Sequence, residues 1–177
     1  MLTLLMHRHN LPALLLLAAF APAAVGQTGT SMPSNDEILE LMSKAEEKVG
    51  GFEKALKGVK PDLDKVDPQL STNYLNAASA ARTIIVSIRK NGPSAYALVS
   101  LVTTLDDLSL DAATATVQLL LLGINSGQTG AAKLGVFLVP LMTSKNECND
   151  MSELIMHATL RYIHTEEDVL EKLSHIK

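Results

Sequence analysis

The stretch AATATVQLLLLGINSGQTGAAKLGVFLVPLM, residues 112–142, carries the strongest architectural signal in the chain. Its only charged residue is Lys133, and no basic residue lies between Lys90 and Lys133. Residues 117–124 are nearly all apolar, and so are residues 136–141. A helix that is apolar on every side is buried in a core or lies in a membrane. Each run falls short of the ~20 residues that cross a bilayer. Gln118, Lys133 and the turn-like Asn125-Ser126-Gly127 separate them further. The expectation is a central apolar hairpin wrapped by more amphipathic helices.

Those amphipathic helices are legible on both sides. Ser34 reads as an N-cap with Glu37 completing a capping box, and Asp36 favours the positive end of the helix dipole. Ile38, Leu41, Met42, Ala45, Val49, Phe52 and Leu56 then recur at helical spacing. Glu40 with Lys44, and Glu53 with Lys57, stand four apart in the favourable order. Gly50-Gly51 predicts a bend or a close-packed neighbour. The helix is expected to end near Gly58, with a loop over residues 59–70. A second helix opens at Asp67 or Ser71 and stops at Asn91-Gly92-Pro93, where a Gly cap precedes a Pro. Residues 94–123 read as one helix or two, because Asp106, Asp107 and Asp111 interrupt the pattern and Ser109 or Asp111 could start a new helix. Pro140 should kink or end the helix that follows. A polar loop holds Cys148, and the last helix runs from Asp150 to Ser174. The fold class is all-α: a single-domain antiparallel helical bundle of about five helices.

The amino terminus has a different character. Residues 1–10 contain Arg8 and no acid, residues 11–20 are apolar, and residues 21–26 are small with one Pro. That order is a cleavable signal peptide over residues 1–26. The cut is expected after Gly26, with Ala23 as the alternative site. Residues 27–33 read as a flexible leader, and residues 34–177 as the bundle domain. The compartment is then outside the cytoplasm, periplasmic or secreted, and no integral membrane span is expected after cleavage.

The formal net charge is −4, and loss of Arg8 makes it one unit more negative. Mild acidity without a basic cluster argues against nucleic acid. Trp is absent, with only 3 Tyr and 3 Phe, which disfavours aromatic stacking platforms. Cys148 is the single cysteine, so no intrachain disulfide forms. Its thiol is left to bridge two chains, to react, or simply to fill space.

Chemistry is concentrated on the last helix. Glu153, His157, Arg161, His164 and Asp168 share one helix face. Glu153 and His157 could clasp a metal. His164 lies about 10 Å further along the axis, however, and Arg161 opposes a cation, so a solvated stripe explains the set more simply. His157, His164 and His175 are the only histidines beyond the leader, so no second Glu-x-x-His set completes a di-metal bundle. Asp107 and Asp111 are spaced to work as an acid–base pair, although helix capping accounts for Asp111 equally well. There is no phosphate loop and no Gly-x-Ser-x-Gly elbow. No catalytic, cofactor or metal residue is assigned, and no cofactor is implied. The expected function is a non-enzymatic, protein-binding or structural module whose partner is another protein. The alternatives are a carrier of an apolar small molecule in the bundle core and a metal-binding protein using the last helix.

Overall fold

The computed structural model describes residues 31–126 and 128–174. The segment read as a signal peptide and residues 27–30 of the leader lie outside them. Among the described residues there are four helices and no strand: α1 Asn35–Val66, α2 Leu70–Asn91, α3 Ala95–Asn125 and α4 Gln128–Ser174. Short connections force neighbours to run antiparallel. Helices α1 and α3 each touch both other helices and also meet across the diagonal, while among the described residues α2 and α4 do not touch.

Four helices replace the expected five because polar stretches lie on helix faces rather than in loops. Helix α1 does not end at Gly58. Val59 and Leu63 continue its buried stripe to Val66. Pro61 sits within it, exposed, so water can reach the Lys57 carbonyl that loses its partner. The stretch read over residues 94–123 is the single helix α3 behind its cap Ser94, with Ser109 buried in its interior instead of capping a new start. The predicted loop around Cys148 is also helix. Leu141, Ser144, Cys148, Met151, Ile155 and Ala158 form one buried stripe straight through it. Lys145, Asn146, Asn149 and Asp150 belong to the surrounding faces. Asp150 is therefore an interior position of α4, not a cap.

The helix starts follow the sequence more closely. The Ser34 hydroxyl accepts from the Glu37 amide at 3.1 Å, and the Ser94 hydroxyl from the Ala97 amide at 3.2 Å. The Glu37 carboxylate takes the Arg161 guanidinium of α4. Gly92 adopts φ 85°, the positive value that glycine tolerates beyond a helix end. Glu40 pairs with Lys44 at 2.7 Å, but Glu53 turns to Arg82 of α2, at 2.8 Å. Gly50 makes room for that arginine: a Cβ there would stand 3.3 Å from the Arg82 Nη2 atom.

The core holds Ile38, Met42, Val49, Phe52, Leu56 and Leu63 of α1, Ile85 and Ile88 of α2, and Leu98, Leu101, Leu105, Leu108 and Leu119 of α3. Each fully buried side chain of this kind contributes about 1.5–3 kcal/mol relative to exposure. The core is thus aliphatic, with Phe52 as its one fully buried aromatic ring among the described residues.

The central hairpin expected over residues 112–142 is corrected. Helix α3 buries Ala112, Ala115, Thr116, Leu119 and Gly123. Its larger residues Val117, Leu120, Leu121 and Ile124 face outward. A central helix needs neighbours on every side, and four helices leave each one an outer face.

Candidate functional site

The α4 constellation separates when built in three dimensions. Glu153 is exposed and accepts from the Asn149 amide at 3.2 Å. His157 is exposed one turn away. Arg161 is half-buried and committed to Glu37, tying the far part of α4 to the first turn of α1. His164 is exposed, 4.0 Å from Glu167. The Asp168 side chain and His175 lie outside the described residues. No group of three or more His, Cys, Asp or Glu side chains is placed to hold a metal among the described residues.

Asp107 and Asp111 stay about one turn apart on the continuous helix α3 but differ in exposure. Asp107 is exposed, beside an exposed Asp106, whereas Asp111 is half-buried. Tyr74 is buried, and its hydroxyl stands 3.5 Å from Gln118 Oε1. Burial raises the Tyr74 pKa, and the charge of Asp111 adds to the effect. Cys148 is fully buried, and burial pushes its thiol up to about 12. At neutral pH it is a small apolar side chain, shielded from a second chain and poor as a nucleophile.

One polar cluster escaped the sequence reading. Lys60 and Asp64 of α1 meet Ser71 in the first turn of α2. The Lys60 ammonium donates to Asp64 at 2.7 Å and to the Ser71 hydroxyl at 3.0 Å, and that hydroxyl donates to Asp64 at 2.5 Å. Serine and lysine in contact can form a nucleophilic pair. Here Ser71 is fully buried and its hydroxyl already donates to a carboxylate, so no substrate carbonyl can approach it. The cluster clasps the α1–α2 turn. Its only sequence signal was Lys-x-x-x-Asp at helical spacing, which says nothing about a serine beyond the turn.

The least expected surface is apolar. Leu110, Val117 and Ile124 recur every seven residues on α3, with Leu120 between the last two and Leu121 beside them. Leu110 retains 65% of its accessible surface, Val117 54% and Ile124 71%. The returning leg of α4 exposes Val136, Val139 and Met142. Seven-residue recurrence is the seam pattern of a helix that packs against another helix. Helix α3 also has the length and composition to cross a membrane, with mean hydropathy 1.3 over its most apolar window. Its inner face, however, is already occupied by the bundle core.

No family model, curated protein or solved structure matches this chain.

The surface ends abruptly in charge. Asp106 lies one helical turn before Leu110, on the same face, with Asp107 beside it. Neither carboxylate has a hydrogen-bond or ion-pair partner among the described residues. By contrast Glu37, Glu40, Glu46, Glu53, Asp62, Asp64 and Glu147 are all paired with Lys or Arg.

Proposed function

We propose that this chain is an exported, non-enzymatic helical bundle that binds another protein through the outward face of the α3–α4 hairpin. The exposed seam Leu110–Val117–Ile124 carries the reading. Soluble surfaces scatter single apolar residues, and contiguous apolar runs mark interaction sites. Export is supported by the sequence order of residues 1–26, with its charged end, apolar segment and small-residue cut. A carrier role draws little support from a hairpin that turns Val117, Leu120, Leu121, Ile124, Val136 and Val139 outward. A metal-binding role draws little from an α4 face on which no three ligand side chains come together among the described residues.

The test is site-specific photo-crosslinking in the source cell. A photoreactive residue is placed at Val117, at Leu121, or at the exposed Thr72 of α2 as control. The expected result is a discrete protein adduct from positions 117 and 121 that is absent from position 72, on a chain whose first residue is Gln27. Equal labelling from all three positions would remove the proposed surface. A retained amino-terminal segment would remove export.

A further inference from the structure

Resting on that protein-binding reading, we propose that the occupant of the α3 seam is an amphipathic helix carrying Lys or Arg at one end, over Asp106 and Asp107. Two observations select it. The seam repeats every seven residues from Leu110 to Ile124, and that spacing meets a second helix more readily than it meets an extended segment. Its charge is confined to one end. Asp106 and Asp107 are exposed and unpaired among the described residues, and no basic residue lies on this helix or anywhere between Lys90 and Lys133. A partner with acids at that end meets two like charges. A partner with lysines there gains two pairs, and the pairing fixes which way it runs.

The competing occupants fit less well. An anionic membrane surface is repelled by the same aspartates, and interfacial helices hold lipid with basic residues on the polar face, which α3 lacks. A second copy of this chain supplies the same acids, so parallel pairing places Asp106 against Asp106. Antiparallel pairing leaves the aspartates facing the uncharged end of the seam.

Three synthetic peptides test the inference. Each is three heptads long, with Leu at the two seam positions and Ala and Gln elsewhere. One ends in two lysines, one in two glutamines and one in two glutamates. Binding to the purified full chain is followed by fluorescence anisotropy, below the concentration at which the peptides self-associate. The Lys peptide should bind roughly three- to tenfold more tightly than the Gln peptide at low salt, with the Glu peptide weakest. Salt should compress the series, and Asp106→Asn with Asp107→Asn should collapse it without losing the Gln peptide. Equal binding by all three peptides overturns the charge assignment and leaves protein binding standing. If no peptide binds, and Val117→Gln with Ile124→Gln changes nothing, the surface itself is refuted. Two other results also overturn the proposal: a dimer that dissociates in the Val117→Gln, Ile124→Gln variant, or flotation with phosphatidylcholine vesicles, each without peptide binding.

Discussion

Replacing Val117 and Ile124 together by glutamine separates a hairpin that is wrapped from one that faces solvent. Both side chains keep more than half of their surface in water. Surface substitutions without special contacts change stability by about 0.5 kcal/mol or less. Glutamine is also a somewhat better helix former than valine or isoleucine. The double variant should therefore stay within about 1 kcal/mol of wild type. Leu119, two residues from Val117, is fully buried, and Leu119→Ala should cost about 2–5 kcal/mol. For a domain of this size each kcal/mol moves the midpoint by about 2–4 °C. The expected shifts are thus under about 4 °C for the double variant and about 4–20 °C downward for Leu119→Ala. Urea unfolding followed by far-ultraviolet circular dichroism, with thermal melts beside it, reads both. A double variant that loses as much as Leu119→Ala would mean that Val117 and Ile124 are covered in solution, and the outward seam would be wrong.

Two further predictions concern buried groups. The Cys148 thiol should react with a thiol reagent at pH 8 only as fast as the chain unfolds, and immediate labelling of the native protein would contradict its burial. Its pKa rises from 9.0 to about 12 on folding, so its contribution is intact below pH 9 and is lost as the pH climbs towards 12. The stability of wild type relative to Cys148→Ala should fall across that window. Ser71→Ala should cost about 1–2 kcal/mol, because it removes a buried hydroxyl that both accepts and donates. The hydrogen bond from Lys60, then that from Ser71, lowers the Asp64 pKa below 3.8. Asp64 therefore favours folding above that pH, and the benefit disappears as the pH falls through its lowered value. Acid unfolding should begin at higher pH in Ser71→Ala; an unchanged acid limb would show that the cluster does not hold the turn.

The sequence reveals helices well and their boundaries poorly, for reasons visible in particular residues. Ser34 and Gly92 mark a start and a stop because capping is local chemistry. The expected end near Gly58 and the expected start at Asp150 failed because an exposed proline, Pro61, or a polar run also fits the outer face of a continuing helix. Residues 112–125 were the hardest to orient. When both faces of a helix are apolar, periodicity offers no contrast. Size was the usable signal: Ala112, Ala115 and Gly123 allow close packing on one side, while Val117, Leu121 and Ile124 project on the other. The α4 polar stripe was legible as a face, but the partner of Arg161 was not. Glu37 lies on another helix at the opposite end of the sequence.

The meeting of α1 with α4 sets an order on biosynthesis. Three of the helix pairs are neighbours in sequence and can form as soon as each hairpin has been made. The first helix, however, finishes its packing against the last, through Lys48 with Glu147 and Glu37 with Arg161. A ribosome must therefore deliver nearly the whole chain before Glu37 finds its counterion. Until then α1 has only α2 and α3 to pack against.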